Sequence, residues 1–312
     1  EMKNFIDNLF FNLIEEIKNK NIYDIYNHMV NQFKKIPFAT QKSMENYFNK
    51  FNYWGKMNIN EENFEIFYLK SLIFKENIDD YIWLYNRLSD YKSKYILYSI
   101  LNNFYNFDFV NLKNCMEHIY KQYFDLDLMP KCEDESFVDV GTFTGDTVID
   151  YIKSYGKDSF DKIYCYEISP ENIKQIEKNL SSYENIIIKQ KAVADKNSTL
   201  HFDLNSEPSA NKISENGGIA VDAVSLDNDI YDKITMVKMD IEGAEMMALE
   251  GMKKHIKDDN PKLLIAVYHN NTDLFQIPRM IEKINSNYEF HLRYYGGCIY
   301  PTEICLICLP KK

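Results

Sequence analysis

Before residue 130 the chain has one glycine, Gly55, and one proline, Pro37. The two residues that most strongly interrupt helices are thus nearly missing from this half, which excludes a turn-rich β architecture there. No apolar run reaches the roughly 18–20 residues that span a bilayer, so no membrane span is expected. The first residues contain no signal-peptide apolar core, and the expected location is cytoplasmic. Positive charge is in short supply. The 36 Lys and Arg against 47 Asp and Glu leave a net charge of −11, so no nucleic-acid partner is expected. Cysteine is sparse as well. Of Cys115, Cys132, Cys165, Cys298, Cys305 and Cys308, only the last two form a C-x-x-C pair. No second pair or nearby histidine completes a zinc site, and no metal is expected. On a strand the odd spacing of Cys305 and Cys308 sends their thiols to opposite faces, which reads as core packing.

What is present describes a folded chain in two halves. The 312 residues are 45% hydrophobic and 27% charged, enough for a full core and about two domains at roughly 150 residues each. Phe5, Leu9, Ile14 and Ile17 recur at helical spacing, as do Phe64, Phe67, Tyr68 and Ile73. Residues 1–130 therefore read as a helical domain with little or no sheet, its many Tyr and Phe serving as core and interface filler. The half is also a candidate surface for homo-oligomer formation.

Residues 131–312 read differently. Runs rich in β-branched and aromatic residues occur at Phe137–Val140, Lys162–Tyr166, Asn185–Lys189, Ile234–Met239 and Leu263–Tyr268. Helical stretches lie between them at Thr147–Tyr155, Pro170–Leu180 and Gly243–His255; in the last, Ala244, Met247, Ala248, Gly251 and Met252 share a face. Such alternation predicts an α/β, Rossmann-like fold built on a mostly parallel sheet, with ligands gathered at the carboxyl ends of its strands. Tyr288–Tyr295 and Glu303–Leu309 are separated by a short loop with Gly296, Gly297 and Pro301, too short for a helix, so the sheet is expected to finish in an antiparallel hairpin. Residues from about Leu200 to Ala220, with Pro208, Gly217 and Gly218, read as a loop excursion suited to a substrate lid.

Three strings carry the chemistry. The first strand runs into Asp139-Val140-Gly141-Thr142-Phe143-Thr144-Gly145-Asp146-Thr147. Two glycines four apart allow a sharp turn and close approach to a ligand, and a helix opening at Thr147 points its N–H groups the same way. This is not the G-x-G-x-x-G of a pyrophosphate binder, and Asp139 and Asp146 would repel a diphosphate while suiting a cationic ligand. Glu167, followed by Ile168-Ser169-Pro170, ends the second strand about 20 residues beyond the glycine turn, where a carboxylate can accept both hydroxyls of a ribose. The third string is Val237-Lys238-Met239-Asp240-Ile241-Glu242-Gly243-Ala244-Glu245. Lys238 and Asp240 share a strand face, which suggests an ion pair between them, a role in the site, or both. Glu242 and Glu245 also suit a helix N-terminus. His269, in Ala266-Val267-Tyr268-His269-Asn270, falls at the ligand-bearing edge and is the candidate general base, with a structural histidine as the alternative.

With these strings in view, residues from about Phe137 to Pro310 resemble a class I S-adenosylmethionine-dependent methyltransferase of the FkbM family. The resemblance rests on Phe137-Val138-Asp139-Val140-Gly141 with Gly145, on Glu167-Ile168-Ser169-Pro170, and on Lys238 to Glu245, which is similar to the family's K-x-D-x-E-G-x-E signature. Val267-Tyr268-His269, Asp273-Leu274 and Ile277-Pro278 are similar to one branch of it. Thr142-Phe143-Thr144 departs from the family's more usual Ala-Asn-x. The resemblance implies a seven-stranded sheet with an antiparallel last strand, S-adenosylmethionine as cofactor, and O-methylation of a small, sugar-like or surface-glycan-related acceptor. It also implies roles. Gly141, Thr142, Phe143, Gly145 and Thr147 would hold the methionine part, with Asp139 or Asp146 near its amino group. Glu167 and Ile168 would hold the ribose, and Ala192-Val193 would edge the adenine. Asp240 and Lys238 would lie by the reacting groups, with His269 or Asp240 as the base. Two rival functions are an NAD-linked sugar-nucleotide oxidoreductase and a non-catalytic docking subunit that keeps the fold.

Overall fold

The computed structural model describes residues 4–203, 212–213 and 218–311. Two compact units emerge. One comprises Glu1–His118, Val267–Pro278 and Glu289–Cys305, the other Ile119–Ala266, Arg279–Tyr288 and Leu306–Lys312.

The first unit opens with seven helices, α1 (Phe5–Lys18), α2 (Ile22–Phe33), α3 (Phe38–Phe51), α4 (Glu65–Glu76), α5 (Ile78–Arg87), α6 (Tyr91–Asn106) and α7 (Phe109–Asn114). Their starts are written locally. Asn4, Asn21, Asp90 and Asp108 each accept from a backbone N–H in the first turn of the helix they precede, satisfying donors that have no partner within the helix. Pro37 precedes α3, which ends at Asn52 in the left-handed region. The aromatics fill the interior, with Phe10 stacked on Tyr85 at 4.0 Å and Phe33 packed edge-on against Phe64 and Phe67. Among the described residues no helix is long and apolar enough to cross a membrane.

From residue 135 the order is β1 (Glu135–Val140), α8 (Asp146–Tyr155), β2 (Phe160–Tyr166), α9 (Pro170–Asn179), β3 (Ile186–Lys189), β4 (Ala192–Val193), β5 (Ser198–Asp203), β6 (Lys212–Ile213) and β7 (Ile219–Val224). Then follow α10 (Leu226–Asp229), β8 (Met236–Met239), α11 (Glu245–Glu250), α12 (Lys253–Asp258), β9 (Lys262–Ala266), α13 (Asp273–Ile284), β10 (Tyr288–Tyr294) and β11 (Ile304–Pro310). Seven strands form one sheet in the order β10-β11-β9-β8-β1-β2-β3. β1 is parallel to β2 and β8, and all six of its residues are buried. At the end of the sheet Tyr295 N donates to Glu303 O and Lys311 N to Asn287 O, the crossed pairing of an antiparallel hairpin. The expected fold, parallel core and reversed last strand, is the observed one.

Two local expectations give way. Between Leu200 and Ala220 the described residues are largely sheet: β4, β7, β5 and β6 form a second, four-stranded sheet. Phe202, Val221 and Ala223 are buried while His201 and Asp222 are exposed, an alternation that the Pro and Gly content of the stretch obscures. The rest of that reading, including Pro208 and Gly217, lies outside the described residues. The single helix expected over Gly243–His255 is two, α11 and α12, divided at Gly251 and Met252. A Cβ on Gly251 would stand 1.9 Å from the Ala194 carbonyl oxygen, so the break is fitted to the neighbouring main chain. The cysteines match the core reading: Cys115, Cys132, Cys165, Cys305 and Cys308 are buried as free thiols, and burial pushes the Cys132 thiol up to about 12.

Candidate active site

The site is built where β1, β2 and β8 end side by side. Beyond Val140 the chain passes through three left-handed residues, Gly141 at φ +79°, Phe143 at +54° and Gly145 at +85°. Gly145 also caps α8. The turn is held from β2: Gly141 N and Thr142 N both donate to Tyr166 O, at 3.0 and 3.1 Å. Phe143 N donates to Glu167 Oε2 at 2.9 Å. Thr142, predicted to contact a ligand, is wholly buried and its hydroxyl donates to Asp139 O, so its side chain braces the turn from within. Phe143 and Asp146 are exposed and Thr147 half-exposed.

Glu167 serves the turn more than the sequence suggests. Its two oxygens accept from Phe143 N, Ile168 N and Ser169 N at 2.8–2.9 Å. A carboxylate has about four acceptor positions, so one remains for a ligand hydroxyl where the sequence predicts two. Burial raises its pKa, and these backbone donors pull the other way. Ile168 packs against the core of the second sheet, which includes Ala192. Ala192 and Val193 form β4, a terminal strand of that sheet, paired among the described residues with β7 alone.

The ion pair of Lys238 differs from the sequence expectation. Lys238 and Asp139 are register partners on β8 and β1, and Lys238 Nζ lies 3.1 Å from Asp139 Oδ1, both side chains being buried. The same ammonium donates to Gly141 O at 2.8 Å, tying the glycine turn to β8. Same-strand spacing points to Asp240; the cross-strand register supplies Asp139 instead. Burial acts to lower the Lys238 pKa, but the carboxylates of Asp139, Asp240 and Asp146 outweigh it and hold it above the usual lysine range. Three carboxylates around one ammonium leave the turn with surplus negative charge.

Asp240 Oδ2 accepts from the Tyr123 hydroxyl at 2.6 Å, and the Tyr123 ring lies 5.5 Å from Lys238 Nζ. Sequence reasoning misses Tyr123, which has no strand or helix periodicity around it. Its φ of +72° is uncommon for a bulky residue, but backbone angles are invisible in sequence. After Asp240 the turn continues through Glu242 at φ +57° and Gly243 at +103°, and buried Glu245 accepts from Ile241 N at 3.0 Å. The K-x-D-x-E-G-x-E string thus supplies an ion pair, a hydrogen-bond acceptor and a turn clasp. His269 belongs to the other unit, three residues past β9. It is 2% exposed, with its ring 4.1 Å from that of Tyr268 and 5.2 Å from that of Tyr53.

Residues 139–293 match the family model described as the methyltransferase FkbM domain. Among solved structures, a methyltransferase FkbM from Methylobacillus flagellatus KT is 23% identical, with a TM-score of 0.66 over 86% of this chain and 70% of that one. An rRNA methylase from Streptococcus thermophilus is 14% identical over 63% of this chain and all of the other, at a TM-score of 0.41. Aeropyrum pernix fibrillarin, in complex with natively bound S-adenosyl-L-methionine, is 8% identical over 64% and 73% of the chains, at 0.38. No curated protein matches the chain. The glycine turn, the signature string on β8, the reversed last strand and the domain match agree: residues 139–293 of this chain are a methyltransferase FkbM domain.

Proposed function

We propose that the protein transfers a methyl group from S-adenosylmethionine to a hydroxyl of a small, sugar-like acceptor. The observation that carries this reading is the charge of the glycine turn. Asp146 is exposed at its rim, and the buried cation Lys238 feels the carboxylates of Asp139, Asp240 and Asp146 together. Such a site repels a diphosphate and attracts a sulfonium and an amino group, which disfavours the NAD-linked alternative. When bound, S-adenosylmethionine supplies an electrophilic methyl carbon on a positive sulfur.

The chain's own residues then bind and orient. The main chain of Gly141–Gly145 and the first turn of α8 would receive the methionine part, with Asp146 at its amino group, because Asp139 is buried against Lys238. Glu167 would accept from one ribose hydroxyl. One side of β4, at Ala192–Val193, would edge the adenine, with Phe143, Thr147 and Ile168 completing the surroundings. Tyr123 would hold Asp240 in place near the reacting groups, and Lys238 would hold the glycine turn beside them. His269 is the proposed base: an imidazole nitrogen takes the hydroxyl proton as the acceptor oxygen attacks. Positioning would supply much of the rate, and this proton transfer about 10²–10⁴-fold.

Titration calorimetry with S-adenosylhomocysteine tests the cofactor. Wild type should bind, and Glu167→Ala should bind at least about tenfold more weakly, since the turn loses the acceptor for Phe143 N. Absence of heat from the wild type would end the reading. A panel of sugar-nucleotide and glycan acceptors with labelled cofactor tests the rest. On whichever acceptor is methylated, His269→Ala should lower turnover by about 10²-fold or more while the S-adenosylhomocysteine affinity holds. Near-wild-type turnover would show that His269 is not the base.

A further inference from the structure

The only glycine before residue 130 lies in a turn that the site described above does not use. Asn52, at φ +50°, ends α3, and Gly55 at φ +115° follows Tyr53 and Trp54. A Cβ on Gly55 would stand 3.1 Å from the Ile66 main chain, so this turn is set close against α4. Trp54 is 3% exposed, and its indole N–H donates to the Tyr268 carbonyl at 2.7 Å. In return, the Asn271 side-chain amide donates to the Trp54 carbonyl at 3.2 Å. The Tyr53 ring stands edge-on to both Tyr268 and His269, with centroids 5.9 and 5.2 Å away. His269 therefore sits between two residues tied to one turn, with its own ring against that turn's tyrosine.

The turn is itself fixed from behind. The Trp54 ring packs edge-on against Phe104 at 5.1 Å, and Lys70 Nζ lies 4.9 Å from the Trp54 ring centroid and 3.8 Å from that of Phe104. Lys70 is 5% exposed, and its ammonium lies over both rings. Burial lowers its pKa to about 7, with Asp273 opposing, so the ring contacts are what the structure offers this cation. Trp54 and Lys70 also line one small cavity together with Tyr268 and Asn271. A buried tryptophan packed against Phe104 and Lys70 is a rigid donor. A rigid donor fixes the carbonyl next to His269, and with it the direction in which the imidazole points.

We infer that Tyr53 and Trp54 are positioning residues for His269, so that the helical unit sets the orientation of the proposed base. The inference rests on His269 being that base. It is tested on the full chain with long-range ¹H–¹⁵N spectra of the histidine rings, assigned with His269→Gln. Trp54→Phe keeps an aromatic ring and deletes the indole donor together with the smaller part of the ring system. The His269 cross-peaks should move or split, showing an altered tautomer or a second orientation. Those of His255 and His291 should stay in place, and S-adenosylhomocysteine affinity should hold within about twofold. Asn271→Ala, which removes the return hydrogen bond, should shift the same cross-peaks and serves if Trp54→Phe does not fold. His269 signals that superpose on wild type in a folded variant overturn the inference. The base assignment fails separately: wild-type turnover by His269→Ala would remove it while leaving the spectral coupling intact.

Discussion

Gly141→Ala should abolish measurable S-adenosylhomocysteine binding, a loss of at least about 100-fold or ~2.8 kcal/mol by calorimetry. Two costs combine. The residue is at φ +79°, where an alanine is strained by about 1–2 kcal/mol. Its Cβ would lie 2.0 Å from the Asp240 carbonyl oxygen and 3.0 Å from Ile241 Cγ2. The first of these atoms is main chain, so it cannot swing aside as a side-chain tip can. The turn must move away from β8, breaking the bond from Lys238 to Gly141 O and displacing the surface proposed to receive the cofactor. Gly156→Ala is the matched control. It has φ +92° but nothing within 4 Å of the added methyl carbon, so it should cost about 1 kcal/mol of stability and leave affinity unchanged. Equal affinities for the two variants would mean that the close approach of Gly141 to Asp240 has no part in binding.

Lys238→Met should destabilise the fold by about 3–5 kcal/mol, because it strands a buried carboxylate without its cation. Asp139 is wholly buried, and its ion-pair partner is Lys238. Gly141 O also loses its donor. In a thermal melt the fall should be about 10 °C. Changing both partners, Lys238→Met with Asp139→Asn, should recover part of the loss, since the uncompensated charge is then gone. The deficit should also depend on pH in a defined sense. Burial raises the Asp139 pKa, and Lys238 counters it. Without the lysine, the ionised carboxyl penalises the folded state above its raised pKa, and the penalty fades as acidification protonates it. A Lys238→Met deficit below about 1 kcal/mol, or one that grows on acidification, would contradict this account of the pair.

Much of the architecture was legible because it is periodic. Phe137–Val140, Lys162–Tyr166 and Ile234–Met239 are short apolar runs between helical stretches, and each is a strand of the main sheet. The second sheet was hidden because β5 and β7 alternate buried and exposed residues over only a few positions, and Pro208, Gly217 and Gly218 lie between them. The division between α11 and α12 was hidden for another reason. Nothing in Gly243–His255 forbids one helix; the Ala194 carbonyl, 57 residues earlier in the chain, occupies the space beside Gly251.

The site divides the same way. Glycine spacing at 141 and 145, the acid at 167 and the string from Lys238 to Glu245 are local patterns, so the residues themselves declared the turn, its family and its charge. Partnership is not local. That Lys238 faces Asp139, that Tyr123 reaches Asp240, that Thr142 turns inward and that Glu167 spends most of its capacity on backbone donors all depend on which strands lie side by side. Composition and spacing were thus sufficient for the kind of fold and the positions of its chemistry. Only the folded register decided which charge neutralises which, because ion pairs and hydrogen bonds act over a few ångströms between segments that the linear chain holds far apart.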